Sequence, residues 1–351
     1  MKKIIILALA GIGDGLLLTP TITLLRKNYP QAEITALVRE KPTNTLFERN
    51  KNLNKTLYFP FLQSGYVKSF LYILSLRKEK YDLSILAYPA NRFQTNLIAF
   101  LIGAKKRLAH KYTVNKLTSL SFLNTQRLPI SAQRHTIDEN LQLLHFLNIR
   151  TDKASKKTVL SITQKEKKEA EQFLQKYGIK KRDFLVGVHA ASSELGGMAN
   201  KRWPKEKFAK LLKKLIQKKK AKILLFGAPN ELGLNKEIQR LIKHKNVYIT
   251  TELQLFPSLA LVQYCKLFVT NDSLLMNIAG HYNLPTIILS AHLYPRKYCP
   301  LSKKAGYLTP ENPCNYYKVG KDLTCKYKGT PNYCLNKITV EEAYGAVEEL
   351  L

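Results

Sequence analysis

Length, composition and charge narrow the class of protein. The chain has 351 residues, 45% of them hydrophobic, which predicts two domains with separate cores and excludes wholesale disorder. Its 57 Lys and Arg against 25 Asp and Glu give a net charge of +32, so we expect an anionic partner such as nucleic acid, a phosphorylated glycolipid or a membrane surface. A generally basic proteome explains the charge equally well.

The excess charge is not concentrated in one segment. Residues 1–160 contain 25 basic and 9 acidic side chains and residues 161–351 contain 32 and 16, so each part carries +16. A nucleic-acid-binding protein more often concentrates its charge in one block or helix. We therefore expect no nucleic-acid partner.

The first residues imitate a signal peptide, with Lys2 and Lys3 followed by an apolar run. No small-residue cleavage site follows, and a membrane span over residues 4–25 would bury Asp14 at a cost of roughly 3 kcal/mol. We therefore expect a cytoplasmic protein without a transmembrane helix, peripheral at most on the inner face of the cytoplasmic membrane.

The first half alternates apolar strand patterns with helix patterns. Strands are predicted at residues 3–10, 32–38, 53–59 and 81–87, and helices at 15–29 and 67–76. This alternation predicts a doubly wound parallel sheet. The pattern ends in the polar stretch 151–168, so we expect an N-terminal domain of residues 1–163 and a C-terminal domain of residues 164–351.

The second half repeats this plan. Strands are predicted at residues 184–189, 222–226, 247–250, 267–270 and 286–289, with a lysine-rich helix around residues 208–216. A last helix at 340–351 follows Thr339 as its N-cap and is a candidate to pack back on the first domain. The predicted fold class is therefore α/β, with two similar halves.

A glycine cluster, Gly11-Ile12-Gly13-Asp14-Gly15, follows the first strand. Ligands of open parallel sheets bind beyond the carboxyl ends of the strands, where glycines let the backbone approach them. A dinucleotide fingerprint is disfavoured because Leu16 occupies the third glycine position. Asp14 is either a helix cap or a general base at the mouth of the site.

Three polar segments follow strands of the second half. Ser192 and Ser193 precede Lys201-Arg202-Trp203-Pro204. Hydroxyls followed by a cation near a helix N-terminus could bind phosphate oxygens; the alternative is that Lys201 is an ordinary surface lysine. Glu231 could accept hydrogen bonds from a ribose or be a solvated helix-start acid. Asn271-Asp272-Ser273 could bind an anion at a helix start or simply cap that helix.

The order of these motifs carries a family resemblance. Strand-G-x-G-D-x-L-L-x-T-P, then K-x-W-P, then G-A-P-x-E, then N-D-S together resemble glycosyltransferase family 9, the lipopolysaccharide heptosyltransferases. The match extends over nearly the whole chain. It includes Arg134-His135, Asn140-Leu141 and Leu284-Pro285-Thr286.

The resemblance implies a GT-B fold, in which two Rossmann-like domains with parallel sheets face each other across a cleft. The first would bind the acceptor through the loop of Gly11, Gly13 and Gly15, and the second the nucleotide-sugar. Asp14 would be the catalytic base, and Lys201 would neutralise the departing diphosphate, so that no metal cofactor is required. The family's usual donor is ADP-heptose, and its acceptor is lipid A with inner-core sugars.

The resemblance also implies a donor site. Ser192 and Ser193 stand where hydroxyls contact the donor phosphates, and Glu231 stands where the ribose is held. Asp272 and Ser273 begin the helix that receives the donor. The next positions depart from the family, because Leu274 replaces a small residue and Asn277 replaces a histidine.

Two further segments have open interpretations. Residues 59–76, with aromatic residues near Lys68, Arg77 and Lys78, are either a membrane contact or an amphipathic core helix. Four cysteines could hold a structural zinc or iron or remain unligated thiols; they are Cys299, Cys314, Cys325 and Cys334.

The leading hypothesis is an inverting glycosyltransferase acting on lipopolysaccharide core or a related glycolipid. One alternative is a nicotinamide-dependent oxidoreductase, suggested by the first strand-loop-helix and by Glu40 after the second strand. The other is a catalytically degenerate glycan-binding member of the same fold, suggested by Leu274 and Asn277.

Overall fold

A computed structural model describes residues 1–112, 119–192, 202–291, 297–298, 300–302, 304–311 and 333–351. The chain divides into two compact units, Met1–Ser161 (unit 1) and Ile162–Leu351 (unit 2). Each unit contains one six-stranded sheet in which all described strand pairs are parallel. Within the described residues, no helix has both the length and the apolar character needed to cross a bilayer.

Unit 1 is built around its first strand. The strand order is β3-β2-β1-β4-β5-β6, and in the central strand Ile6 lies opposite Ala36 and Ile85. The elements are β1 (Lys3–Ala8), α1 (Ile12–Asn28), β2 (Glu33–Val38), α2 (Lys41–Glu48), β3 (Lys55–Tyr58), α3 (Gly65–Arg77), β4 (Leu83–Leu86), α4 (Phe93–Leu101), β5 (Lys106–Lys111), β6 (Gln126–Pro129) and α5 (Thr136–Gln142).

Unit 2 has the same topology. Its strand order is β12-β11-β10-β7-β8-β9, so the first strand is again central. The elements are α6 (Gln164–Lys176), β7 (Leu185–His189), α7 (Lys205–Lys219), β8 (Lys222–Leu225), α8 (Leu232–Ile242), β9 (Val247–Ile249), α9 (Leu255–Val262), β10 (Leu267–Asn271), α10 (Leu274–His281), β11 (Thr286–Leu289), β12 (Ala305–Leu308), α11 (Tyr333–Asn336) and α12 (Val340–Leu350).

These two sheets confirm the predicted α/β class. Both have the order 3-2-1-4-5-6 of the doubly wound nucleotide-binding fold. The buried central strands β1, β7 and β10 are almost continuously apolar, as expected for a parallel sheet covered by helices on both faces.

The Thr19-Pro20 pair, which ends the G-x-G-D-x-L-L-x-T-P motif, has a structural role in helix α1. Pro20 lies inside α1 and has no N–H to donate to the carbonyl of Leu16. The Thr19 hydroxyl donates to that carbonyl instead, at 2.7 Å, and accepts from the N–H of Val159 at 2.8 Å. The motif therefore fixes α1 to the last segment of unit 1.

The last helix packs within unit 2. Thr339 caps α12 as predicted, since its hydroxyl accepts from the N–H of Glu342 and the Glu342 carboxylate accepts from the N–H of Thr339. Ala343 and Val347 are buried in the core of unit 2. The indole N–H of Trp203 donates to the carbonyl of Ile338 at 3.0 Å, so the start of α7 is joined to the segment before α12.

Candidate functional site

The first candidate site lies where the connections of the unit 1 sheet diverge. β1 and β4 are neighbours, and the chain leaves them toward opposite edges of the sheet; this switch point is where open α/β sheets bind ligands. A small recess is present there. It is lined by residues 8–10, Asp14, Gly15, Leu18 and residues 87–88.

Asp14 belongs to helix α1 and does not occupy its N-cap position. The N-cap residue is Gly11, and Asp14 is the third residue of the helix, half-buried in its first turn. The structure thus starts the helix at Ile12, three residues earlier than predicted. A carboxylate in the first turn is favoured by the positive end of the helix dipole, so the position suits an ionised Asp14.

The glycines around Asp14 permit close packing. A Cβ on Gly15 would lie 2.9 Å from Cγ2 of Thr43, whereas one on Gly11 would approach only the Glu40 carboxylate, at 3.8 Å. Gly15 therefore lets α2 approach α1 directly beside the recess. Gly13 shares the same helical turn.

Side chains from other elements hold the opposite wall of the recess. The N–H of Tyr88 donates to Oδ1 of Asn140 at 2.8 Å, and the N–H of Ala90 donates to the Tyr112 hydroxyl at 2.7 Å. The Tyr88–Pro89 peptide bond between them is cis. Asn140, one of the residues that carry the resemblance, thus positions the loop after β4.

A buried carboxylate supports this wall from behind. Glu139 is fully buried, and its oxygens accept from the N–H of Ser131 at 2.9 Å and from the Arg134 guanidinium at 2.8 Å. Nε2 of His110 lies 3.8 Å from the same carboxylate, and the His110 ring meets the Tyr88 ring edge-on at 5.5 Å. Arg134 and His110 thus place positive or polar groups around this buried carboxylate.

The second candidate site lies at the equivalent edge of unit 2. His189 ends β7, Glu231 follows β8 and Ser273 follows β10. Nδ1 of His189 is 2.9 Å from Oγ of Ser273, and Nε2 is 3.2 Å from Oε2 of Glu231. The His189 ring therefore joins two of the predicted donor-binding residues, Glu231 and Ser273, and is itself a site residue that the motifs do not predict.

Glu231 is held as an anion. Burial alone would raise its pKa, but the hydrogen bond and charge of His189, the N–H of Ala228 at 2.8 Å and the charge of Arg202 lower it overall. An ionised carboxylate has only acceptor sites. Glu231 is therefore suited to accept hydrogen bonds from the hydroxyls of a ligand.

This environment predicts a pH dependence of stability. Because the pKa of Glu231 is lower in the folded chain than its ordinary 4.5, its ionised form stabilises the fold above that value, and the contribution disappears as pH falls through the folded-state pKa. We expect Glu231→Gln to lower the denaturation midpoint of unit 2 at pH 7 and to converge with the wild type in acid.

The measurement is urea unfolding followed by tryptophan fluorescence across this pH range. Trp203 is the single tryptophan of the chain and is buried in unit 2, so the signal reports on that unit. Glu252→Gln is the matched control, since Glu252 is an exposed carboxylate bonded to Lys176. If the difference in denaturation midpoint between Glu231→Gln and the wild type were the same in acid as at pH 7, the lowered pKa assigned to Glu231 would be contradicted.

Asn271 connects the motifs of unit 2. It is fully buried; its amide donates to the carbonyl of Ala190 at 2.7 Å and its Oδ1 accepts from the N–H of Trp203 at 3.0 Å. Arg202 donates to the carbonyl of Ser192 at 2.6 Å and to its hydroxyl at 3.3 Å. The N-D-S and K-x-W-P motifs are therefore both tied to the segment after β7.

The N-D-S segment is more than a plain helix cap. Ser273 occupies the N-cap position of α10 but makes no capping hydrogen bond; its hydroxyl instead faces His189 and, at 3.2 Å, Thr270. Asp272 and Leu274 are half-buried beside it. Asn277 is buried, and its Oδ1 has no hydrogen-bond partner among the described residues.

Several predicted residues lie outside the described part of the chain, namely Ser193, Lys201, Cys299, Cys314 and Cys325. Cys334 lies in α11. Within the described ranges, no group of three or more His, Cys, Asp or Glu could hold a metal ion. The zinc or iron site and the role of Lys201 therefore stay predictions.

The fold is similar to those of solved glycosyltransferase structures. The crystal structure of the glycosyltransferase family 9 protein from Veillonella parvula DSM 2008 matches with a TM-score of 0.78 at 23% identity, covering 99% of this chain and 97% of that chain. E. coli heptosyltransferase WaaC with ADP-2-deoxy-2-fluoro heptose matches with a TM-score of 0.70 at 14% identity, covering 99% and 100%. The shared fold is the α/β GT-B type.

Comparison of sequences gives the family. The chain is 25% identical over 341 residues to lipopolysaccharide heptosyltransferase 2 of Escherichia coli (strain K12), covering 91% of this chain and 90% of the relative. The model of glycosyltransferase family 9 (heptosyltransferase) matches residues 72–328, well over half of the chain. The chain therefore belongs to glycosyltransferase family 9 and is a glycosyltransferase, as the ordered motifs predicted.

Proposed function

We propose that this chain transfers a heptose from ADP-heptose to the inner core of lipopolysaccharide or lipooligosaccharide, with inversion at the anomeric carbon. The observation that carries the proposal is the position of Asp14, a carboxylate lining the recess at the switch point of unit 1. The names of the relatives and the ADP-sugar in a structural neighbour support the choice of donor and acceptor.

In this proposal unit 1 binds the acceptor and Asp14 is its general base. The carboxylate removes the proton of an acceptor hydroxyl as the oxygen attacks the anomeric carbon of the donor. A single direct displacement inverts that centre. The loop of Gly11, Gly13 and Gly15 binds the acceptor in this proposal, and Gly15 contributes by letting α2 pack against the first turn of α1 beside the recess.

Unit 2 binds the donor in the same proposal. Glu231 accepts hydrogen bonds from the ribose hydroxyls, and Ser192, Ser193, Asp272 and Ser273 contact the diphosphate region. Lys201 offsets the charge that develops on the leaving diphosphate, a role for which a fixed cation is sufficient without a divalent metal. Leu274 and Asn277 border this region and affect how closely the donor approaches.

The acceptor is a phosphorylated glycolipid in this scheme. A net charge of +32 favours association with an anionic membrane surface where such a lipid resides. We therefore propose a peripheral location at the inner face of the cytoplasmic membrane. Such a location raises the local concentration of the acceptor.

A screen of donors tests the proposal. Titrations with ADP-heptose and with GDP-, UDP- and dTDP-sugars, followed by the fluorescence of Trp203, are expected to show saturable binding of the ADP-sugar at the lowest concentration. Transfer is then measured with ADP-heptose and a heptose-deficient core acceptor. Binding of a nicotinamide dinucleotide without binding of any ADP-sugar would instead favour an oxidoreductase.

The donor site has its own variant and control. Glu231→Gln is expected to weaken ADP-heptose binding by about tenfold, in line with the loss of one charge-assisted hydrogen bond. Glu252→Gln removes a carboxylate of the same unit that pairs with Lys176 on an exposed surface, and it should bind the donor like the wild type. Equal donor affinity of both variants would remove Glu231 from the proposed site.

A further inference from the structure

Helix α3 of unit 1 turns an apolar face to solvent. Tyr66 and Val67 are 89% and 74% exposed, and Leu71 and Phe70 are 60% and 47% exposed. Leu62, just before the helix, is 68% exposed. Only Ile73 and Leu76 of the helix are buried. They belong to the unit 1 core, with Tyr72 packed against it, so the helix contacts the core along one narrow side.

These side chains form one surface, which we name the α3 face. In a helix, residues that follow one another at intervals of three or four lie on the same side. Tyr66, Phe70 and Leu74 follow this spacing, as do Val67 and Leu71. A soluble protein normally places polar residues on the outward side of a helix, and a contiguous apolar patch marks an interaction surface.

The α3 face is held on a rigid support. The ring of Tyr72, on the inner side of the helix, stacks on Phe59 with centroids 4.1 Å apart and planes at 9°. Phe61 meets the Phe59 ring edge-on at 4.8 Å. These aromatic contacts stabilise the packing of this side of the helix on unit 1, which leaves the opposite side facing outward.

The charges next to the α3 face are all positive. Lys68 and Lys78, the C-cap residue of the helix, are exposed. Arg77 in the last turn is also exposed, and its guanidinium donates to the carbonyl of Leu101 at 3.4 Å. Residues 60–78 contain no Asp or Glu. The first acid beyond them, Glu79, accepts a hydrogen bond from Lys3 at 2.8 Å, so its charge is already matched.

We propose that the α3 face docks on an anionic phospholipid bilayer. Its aromatic and aliphatic side chains enter the interfacial region while Lys68, Arg77 and Lys78 contact lipid phosphates, the arrangement of an interfacial basic helix. Charge complementarity favours this occupant. In a twofold dimer the same patch would face itself and bring these cations against their own copies.

This inference deepens the proposed function, because it names the surface by which the enzyme would reach a membrane-bound acceptor. Binding of the α3 face to a bilayer does not depend on which sugar or nucleotide the enzyme uses. Bilayer binding can therefore be measured without turnover, and turnover can be measured on a delipidated core acceptor without a bilayer.

The test is co-sedimentation of the full chain with vesicles. One set contains phosphatidylethanolamine and phosphatidylglycerol, and the other contains phosphatidylcholine alone. The double variant Phe70→Ser/Leu71→Ser is expected to lose at least about tenfold in partitioning to the anionic vesicles, because two apolar side chains no longer enter the interface. Phe122→Ser and Leu241→Ser are matched controls, as both residues are exposed elsewhere, at 53% and 40%.

A second variant separates charge from apolar contact. Lys68→Gln/Lys78→Gln is expected to reduce binding to the anionic vesicles by about 30-fold, on the basis of about 1 kcal/mol for each of two exposed cations, and to leave weak binding to phosphatidylcholine unchanged. Both double variants should keep the wild-type circular dichroism spectrum and the wild-type rate on delipidated acceptor.

Two outcomes would overturn the proposal. One is equal vesicle binding by Phe70→Ser/Leu71→Ser and by the control variants. The other is a concentration-dependent dimer of the wild type that this double variant abolishes without any vesicle binding, which would make the α3 face an interface between copies. Absence of sugar transfer by the wild type would contradict the proposed function and leave the bilayer result intact.

Discussion

Asp14→Asn is expected to lower kcat by at least about 100-fold while leaving the fold and the donor affinity unchanged. The substitution keeps the size of the side chain and removes its ability to take up a proton, and a positioned general base contributes about 100- to 10,000-fold. Asp14 lies in the first turn of α1 beside the recess, so an asparagine fits the same space. The measurement is initial rate at saturating ADP-heptose, together with the dissociation constant for the donor.

A matched control separates this role from a general effect of charge. Asp82 is a second carboxylate of unit 1, and it accepts from the N–H groups of Lys2 and Lys3 at the opposite end of the sheet. Asp82→Asn is expected to retain near-native kcat. Near-native turnover by Asp14→Asn itself would refute the assignment of the base.

The pH profile adds a second readout for Asp14. If this carboxylate is the base, the wild-type rate falls in acid as the group becomes protonated. Asp14→Asn should lose that acid limb and keep only a low, flat rate. An acid limb that survives the substitution would belong to another group and would assign Asp14 an electrostatic role instead.

The buried strands could be predicted from local sequence, because strands covered on both faces form continuous apolar runs. The predicted strand at 286–289 coincides with β11 (Thr286–Leu289), and the one at 3–10 overlaps β1 (Lys3–Ala8). Edge strands lack this signal. In β6 (Gln126–Pro129), Gln126 and Arg127 are exposed, so hydropathy alone does not distinguish this strand from a loop.

The start of α1 shows a different limit of local sequence. Three glycines around Asp14 indicate a loop because glycine lowers helix propensity, yet Gly13 and Gly15 lie in the first helical turn. The reason is tertiary: the absent side chain of Gly15 is what lets Thr43 of α2 come close. Contacts of this kind, between segments that are distant in sequence, cannot be predicted from the spacing of residues within one segment.

The candidate site could be predicted in part. The polar segments after the strands and the family resemblance both predict Glu231 and Ser273, but neither predicts His189, which lies between them and ends an otherwise apolar strand. Its partners are 42 and 84 residues away in sequence. The available signal was the polar residue itself at the carboxyl end of a buried strand, where ligand-binding groups accumulate.

Glu139→Ala is expected to lower the free energy of unfolding of unit 1 by about 1–3 kcal/mol, the typical effect of leaving buried hydrogen-bonding groups without their partner. The Glu139 carboxylate is fully buried, and its loss removes the acceptor of the Ser131 N–H and the carboxylate partner of the Arg134 guanidinium, which keeps its hydrogen bond to the carbonyl of Pro129. The measurement is hydrogen exchange of unit 1 amides, with the fluorescence of Trp203 reporting separately on unit 2, where no change is expected.

The control for Glu139 is an exposed ion pair of the same unit. Arg150 and Asp152 lie 3.3 Å apart with side chains 86% and 53% exposed, and exposed pairs of this kind contribute little to stability. The backbone amides of unit 1 in Asp152→Ala should therefore exchange their hydrogens at the wild-type rates. Equal amide exchange rates in Glu139→Ala and Asp152→Ala would mean that the hydrogen bonds of Glu139 do not stabilise unit 1.

Glu139→Ala should also affect turnover, because the network lies directly behind the recess. The neighbouring residue Asn140 accepts from the N–H of Tyr88, and His110 packs on the Tyr88 ring. Disorder of that wall would displace the acceptor from Asp14 while leaving unit 2 intact. We therefore expect a lower kcat and a higher KM for the acceptor, with the KM for ADP-heptose unchanged; a raised donor KM would instead indicate an effect on unit 2.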